Sequence, residues 1–180
     1  KEIDLKVINK KKDEIGFVLE KLINYLCLHI ENQIKAGADL VQIFDSWAGL
    51  IPQEDLNRFC FLPNSKIVEF CKKKGIPVIC FPKGIRENYK DFNNLVKPDG
   101  INIDYNIDPN WAKENLRGTV IQGGLDPKIL LLSDEEIYNN ARKYLDAFKG
   151  LPYVFNLGHG MLPDTNPEKV EKLIKFYREY

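Results

Sequence analysis

Five short apolar runs recur along this chain, each divided from the next by a stretch of helical periodicity. That alternation constrains the fold more than any other feature of the sequence. The runs are Leu40–Phe44, Pro77–Phe81, Gly100–Asp104, Thr119–Gln122 and Tyr153–Leu157. Several are rich in Val, Ile and Phe and carry little polar alternation, as strands of a parallel sheet buried on both faces do. No hairpin signal joins any two of them, and the segments between are long enough for a crossover helix. The pattern predicts a parallel α/β architecture.

The intervening segments carry helix chemistry. Ile15, Val18, Leu19, Leu22, Ile23, Leu26, Ile30 and Ile34 form the stripe of one long amphipathic helix, which glycine closes at Lys35-Ala36-Gly37. Further helical patterns cover Gln53–Cys60, Asn64–Lys74, Glu87–Val96, Ser133–Lys149 and a last stretch from Asn166-Pro167 toward Tyr180. A short helix opens at Asp108-Pro109. Ser133 and Glu136 have the spacing of a capping box. Asp108-Pro109, Asp126-Pro127 and Asn166-Pro167 each set a cap residue before a proline suited to the first helical position.

Two parallel folds compete. A doubly wound dinucleotide sheet needs Gly-x-Gly-x-x-Gly after a strand, and Gly158-His159-Gly160 lacks the third glycine. No phosphate-loop lysine motif occurs. The remaining choice is a (β/α)8 TIM barrel, which needs about 250 residues when intact. The 180 residues are therefore expected to supply roughly the last five strands, as the C-terminal part of a single barrel domain spanning 1–180. The charged opening segment, Lys1 to Lys12, reads as a connection within a longer protein and not as a signal peptide.

Composition removes other classes. Lys+Arg and Asp+Glu both number 26, so no basic excess points to nucleic acid. No apolar run approaches the ~20 residues of a membrane helix. The four cysteines, Cys27, Cys60, Cys71 and Cys80, include no Cys-x-x-Cys pair, and they read as buried free thiols in a reducing cytoplasm.

In a barrel, chemistry gathers where strands end. The residues just past the five runs are Asp45-Ser46-Trp47-Ala48-Gly49, Pro82-Lys83-Gly84, Asp104-Tyr105, Gly123-Gly124-Leu125-Asp126-Pro127 and Gly158-His159-Gly160. His159 is the most informative, because flanking glycines let the backbone turn sharply and an imidazole can pair with a carboxylate near neutral pH. Position alone leaves a loop histidine held by a carbonyl equally open. For Ser46, position alone favours a turn former. Trp47 is expected to pack between helices, and His29 to be a packed or half-exposed structural residue. Lys83 and Arg86 are placed either to lend positive potential to the mouth or simply to be solvated. The two histidines offer no metal pair at helical spacing.

Four blocks together resemble the uroporphyrinogen decarboxylase family. Ala36 through Gly49, AGADLVQIFDSWAG, is similar to the family's segment around a substrate-contacting serine or threonine. Phe81-Pro82-Lys83-Gly84 resembles its Phe-Pro-Arg/Lys-Gly turn. Gln122-Gly123-Gly124-Leu125-Asp126-Pro127 resembles its Gln-Gly-Asn-Leu-Asp-Pro segment. Phe155-Asn156-Leu157-Gly158-His159-Gly160, with Pro163 beyond, resembles its C-terminal signature. The blocks fall in the family's order and span nearly the whole chain.

The resemblance implies a (β/α)8 barrel that works as a cytoplasmic homodimer without a cofactor. It implies conversion of uroporphyrinogen III to coproporphyrinogen III by four acetate decarboxylations. Carried over by position, Ser46 would hydrogen-bond one substrate carboxylate and His159 would contact another. The family's paired arginines, its pyrrole-gripping aspartate and its tyrosine belong upstream of Lys1, and no Arg-x-x-x-Arg occurs here to replace the arginines. The isolated 180 residues are thus expected to be inactive. Gly124 stands where asparagine is usual. The rivals are a cobamide-dependent methyltransferase of the same barrel superfamily and a degenerate barrel serving as a binding module. The methyltransferase's zinc ligands look absent, since Cys80-Phe81-Pro82 fills the place of its histidine-x-cysteine pair and His159 that of its late cysteine.

Overall fold

The computed structural model describes residues 10–180, so residues 1–9 of the charged opening segment lie outside the described residues. The chain forms two compact units, Lys1–Gly100 and Ile101–Tyr180.

The first unit opens with α1 (Lys12–Lys35), which has the length its apolar stripe predicts. Ile23 and Ile30 are its buried anchors, whereas Phe17, Val18, Leu22, Tyr25 and Leu28 are exposed. Two stripe positions, Val18 and Leu22, therefore face solvent, because a second apolar row runs beside the buried one. The strands β1 (Val41–Asp45) and β2 (Val78–Pro82) pair in parallel, with Val41 opposite Val78 and Asp45 opposite Pro82. Every residue of β2 is buried, as a central parallel strand requires. Only Val41 of β1 is fully buried, and Phe44 is 66% exposed while its ring meets that of Phe81 edge-on, centroids 6.2 Å apart.

Between β1 and β2 the two predicted helices are one continuous helical passage. A 3-10 turn (Gln53–Asp55) leads through a π turn (Asn57–Phe61) into α2 (Leu62–Lys73). The reason lies in Pro63, at the start of α2. Proline donates no amide hydrogen and its ring crowds the carbonyl four residues back. The wider turn, in which the Leu62 amide donates to the Asn57 carbonyl five residues back, accommodates it without ending the helix. After β2 comes α3 (Tyr89–Val96), whose Phe92 packs edge-on against Phe61 at 5.5 Å.

The second unit holds β3 (Gly100–Ile103), α4 (Pro109–Asn115), β4 (Val120–Gly123), α5 (Asp134–Ala147), β5 (Tyr153–Val154) and α6 (Pro167–Glu179). Its strands lie in the order β3-β4-β5, with Ile121 beside Tyr153 and Gln122 beside Val154 in parallel. The caps form as their residue types dictate. Asp108 accepts from the Asn110 and Trp111 amides, Asp126 from Lys128, and Asn166 from Glu168. Ser133 and Glu136 complete a reciprocal capping box. The core gathers Leu125, Ile129, Leu130, Ile137, Ala141 and Leu173.

β5 is shorter than its apolar run. The Leu157 amide is taken by the Asn156 side chain at 2.8 Å, so the ladder breaks and resumes only where Leu157 bridges Leu125 and the Gly158 amide reaches the Leu125 carbonyl at 2.7 Å. Three other expectations are corrected. Trp47 does not pack but is 64% exposed, His29 is exposed, and Cys27 is only partly buried, while Cys60, Cys71 and Cys80 are buried free thiols. Trp47 and His29 both sit where the described residues supply no facing layer, and periodicity alone cannot reveal that.

Gly124 now has a physical reason. Its φ is +95°, and a Cβ there would lie 2.5 Å from Cε1 of Tyr144, whose hydroxyl donates to the Gly124 carbonyl at 2.6 Å. The ring occupies the space that an asparagine side chain would need. Gly124→Asn is expected to cost about 1–3 kcal/mol of unfolding free energy through overpacking. In a double-mutant cycle with Tyr144→Ala, the pair should cost at least about 0.5 kcal/mol less than the sum of the singles. Urea unfolding measures this, and strict additivity would show that the ring is not the obstacle.

Candidate active site

A parallel strand delivers its last residues, and the loop after them, to one edge of the sheet, and in such folds ligands meet that edge. In the first unit the edge is set by the Asp45–Pro82 register pair. One residue further along each strand stand Ser46 and Lys83. The Lys83 amide donates to the Asp45 carbonyl at 3.1 Å, and the Gly49 amide donates to the Lys83 carbonyl at 2.8 Å. The two loops therefore cross in direct contact. A Cβ on Gly49 would fall 2.6 Å from the Gly84 carbonyl oxygen, so the crossing requires glycine at position 49. Ser46, half-buried, sits on the loop that makes this crossing.

Beneath Ser46 lies a polar cluster that periodicity gave no hint of. The buried Asn64 amide donates to Oδ2 of Asp45 at 3.3 Å and to the Cys60 carbonyl at 2.9 Å, and it lies 3.8 Å from the Cys60 Sγ. The Cys60 thiol also hydrogen-bonds Asp45. Burial pushes the Asp45 carboxyl above the usual aspartate range, and the hydrogen bonds from Cys60 and Asn64 oppose this only partly. Burial, then the neighbouring carboxylate, drive the Cys60 thiol far upward, and Cys80, wholly buried, is raised mainly by desolvation. Neither thiol has the electropositive, accessible setting of a reactive cysteine. The cluster links the end of β1 to the π turn and α2. Its one sequence signal, Asn64 after Pro63, resembles an ordinary helix start.

In the second unit the loop after β4 is held by two tyrosines. Tyr153 donates to the Gly123 carbonyl at 2.7 Å and Tyr144 to that of Gly124. Desolvation raises the Tyr144 hydroxyl to about 12, so it stays a proton donor at any physiological pH. Gln122 of the Gln-Gly-Gly segment is buried and donates to Oδ1 of buried Asn102 at 2.7 Å, and Asn102 in turn donates to the Ile103 carbonyl. That chain of bonds explains a polar residue inside an apolar strand: the Gln122 amide finds an acceptor in Asn102, whose own amide is taken by the backbone. Asp104, also buried, accepts from the Asn106 amide and shapes the loop after β3.

His159 follows β5 and is exposed, at the rim of a cavity of about 400 Å³ walled by Leu130, Phe155, Leu157, Leu173 and Ile174. The glycine before it serves a purpose other than a free turn. A Cβ on Gly158 would fall 2.5 Å from the Tyr105 backbone nitrogen, so glycine there lets the loop lie against the end of the β3 loop. A Cβ on Gly160 would meet nothing within 4 Å. Ser46 thus belongs to the first unit and His159 to the second, each on the loop that follows a parallel strand. Among the described residues no three His, Cys, Asp or Glu side chains come together as a metal set, and no helix is long and apolar enough to cross a membrane.

The model of the family described as "Uroporphyrinogen decarboxylase (URO-D)" matches residues 4–180. The chain belongs to the uroporphyrinogen decarboxylase family. It is 42% identical over 171 residues to the uroporphyrinogen decarboxylase of Rickettsia bellii (strain RML369-C), covering 94% of this chain and 49% of that protein. With the uroporphyrinogen decarboxylase of Jannaschia sp. (strain CCS1) it shares 39% identity over 153 residues, 83% of this chain and 45% of that one. For the same enzyme of Orientia tsutsugamushi (strain Ikeda) the values are 37% over 175 residues, 96% and 51%. The chain spans about half the length of the curated relatives it matches.

Among solved structures, a methyltransferase from Methanosarcina mazei superposes with a TM-score of 0.82, covering 97% of this chain and 52% of that one at 19% identity. That likeness is one of fold alone. Together with the parallel strands it assigns the chain to the (β/α)8-barrel class, of which it carries about the last five strands.

The half-buried Asp45 carboxyl, next to Ser46 in the chain, has a measurable signature. The native state holds the Asp45 proton to a higher pH than the unfolded chain, whose aspartates titrate near ~3.9. Its contribution to stability is complete below that value and is lost as pH rises through the native pKa. Asp45→Asn lacks this loss. Its stability relative to the parent should therefore increase as pH is raised from about 4 and level off above the native pKa. Urea unfolding across that range tests it, and a pH-independent difference would remove the shift.

Proposed function

We propose that a protein of the family's full length carrying this chain is a uroporphyrinogen decarboxylase. It would convert uroporphyrinogen III to coproporphyrinogen III by removing carbon dioxide from four acetate arms in turn. The observation that carries this reading is the family match across residues 4–180, supported by 42% identity to a relative of that name over nearly the whole chain. In this reading residues 1–180 are the C-terminal part of one barrel domain, working as a cytoplasmic homodimer on a small-molecule tetrapyrrole, without nucleic acid or membrane. The 180 residues alone are inactive, because the half of the family's length outside this alignment is needed to complete the cleft.

The chemistry asks for an electron sink and for anion recognition. Protonation of the pyrrole α-carbon next to the one bearing the acetate turns the ring into a cation, with positive character on the acetate-bearing carbon. The pair from the breaking C–C bond then flows into that ring as carbon dioxide leaves. The exocyclic methylene so formed takes a proton to become methyl, and the ring carbon gives one up to restore aromaticity. Ser46 and His159 are the substrate contacts of this chain. A hydroxyl donates to one carboxylate, while an imidazole donates when neutral and pairs more strongly when charged. The loop crossing under Ser46 and the close approach at Gly158 hold both side chains on backbone with little freedom, as a site that must recognise several similar carboxylates requires.

The full-length protein is expected to turn uroporphyrinogen into the seven- through four-carboxylate series, resolved by chromatography. No product at any pH would sink the reading. His159→Ala in the same protein should lower kcat/KM by about 10- to 100-fold, as loss of a charge-assisted contact does. It should also make partly decarboxylated intermediates accumulate. An unchanged product profile would remove His159 from the site.

A further inference from the structure

Lys83 stands beside Ser46 for a structural reason. The Asp45–Pro82 register pair ends both strands together, so Ser46 and Lys83 are the next residues on two adjacent parallel chains. The Lys83 backbone is pinned on both sides to the β1 loop, its amide to the Asp45 carbonyl at 3.1 Å and its carbonyl to the Gly49 amide at 2.8 Å. The Gly49–Gly84 approach leaves that loop no room to shift. Three residues past Lys83, Arg86 adopts φ +56°, a left-handed conformation that non-glycine residues rarely hold unless their surroundings demand it. Arg86 lines a separate cavity of about 230 Å³ with Gly84 and Ile85, and Lys83 does not.

In the same unit Lys12, Lys66 and Lys74 each meet a carboxylate within 3 Å. Among the described residues Lys83 meets none. The acidic side chain next to it, Asp45, is engaged by Asn64 and Cys60 and held toward its protonated form by burial. A half-buried cation on rigid backbone, one strand from a hydroxyl and without an internal counter-ion, is arranged to receive an anion from outside.

We propose that Lys83 binds a carboxylate of the substrate alongside Ser46, so that the two neighbouring strand ends form a single carboxylate-binding pair. This rests on the decarboxylase reading and extends it to a residue that reading does not use. Ser46 supplies a directional hydrogen bond, and Lys83 supplies the charge that a neutral hydroxyl lacks.

The test is steady-state kinetics of the full-length protein with uroporphyrinogen III, with uroporphyrin III as a stable octacarboxylate probe for binding by fluorescence. Lys83→Met should raise KM and the probe's Kd about tenfold, with kcat within about threefold of the parent. Lys83→Arg should restore both to within about threefold, and the Lys83→Met KM should vary less with salt than the parent's. Circular dichroism melting should match the parent, since the pinning bonds are backbone. A Lys83→Met enzyme with parental KM and Kd overturns the proposal while leaving the decarboxylase reading standing. So does a rise in KM that Lys83→Arg fails to correct. A parent that yields no product overturns the decarboxylase reading, and this one with it.

Discussion

Close backbone approach at strand ends is the constraint on which the rest of this structure depends. Parallel strands deliver successive loops to the same edge, and loops there must cross or run into one another. At Gly49 the β1 loop lies against the Gly84 carbonyl, and at Gly158 the β5 loop lies against the Tyr105 amide, at distances no side chain would permit. Because these contacts are backbone to backbone, they fix the residues on either side without using their side chains. Ser46 and Lys83, half-buried, and His159, exposed, sit on chain that these contacts hold in place. The glycines of the family-like blocks thus act as spacers that bring strand ends within hydrogen-bond reach.

Much of the fold could be read in the sequence because periodicity and capping are local. α1 runs from Lys12 to Lys35 over the predicted stripe, and the capping box at Ser133 and Glu136 forms as its spacing requires. What could not be read depends on partners distant in sequence. Pro63 looks like a break between two helices, but a π turn absorbs it, and the hydrogen bond that shows this joins Leu62 to Asn57. β5 looks five residues long, but the Asn156 side chain competes for the Leu157 amide and ends the ladder early. Trp47 reads as a packing residue, since a large aromatic after a strand usually has something to pack on. Its exposure depends on layers that sequence spacing cannot supply.

The candidate site was legible to the same uneven degree. Strand-end position pointed to His159 and the family resemblance to Ser46, and both lie on loops that follow parallel strands. The Asp45–Asn64–Cys60 cluster was not visible, because nothing in the spacing of 45, 60 and 64 marks them as neighbours until the helical passage folds back on β1. The Gln122–Asn102 pair was equally hidden. A lone polar residue in an apolar strand reads as an exception until its partner, twenty residues earlier, is found beside it.

These hidden groups share a consequence for the chemistry proposed. A tetrapyrrole with eight carboxylates is repelled by any anionic charge at the mouth that receives it. In the first unit Asp45 is biased by burial toward its neutral form, and in the second Asp104 is buried with a backbone amide as partner. Two tyrosine hydroxyls that could ionise are turned onto the Gly123 and Gly124 carbonyls and held protonated by burial. In the first unit the strand ends therefore carry a hydroxyl and a cation beside a carboxyl that burial biases toward its neutral form. Such a surface lowers the electrostatic cost of bringing a polyanion to the strand ends before any specific contact forms.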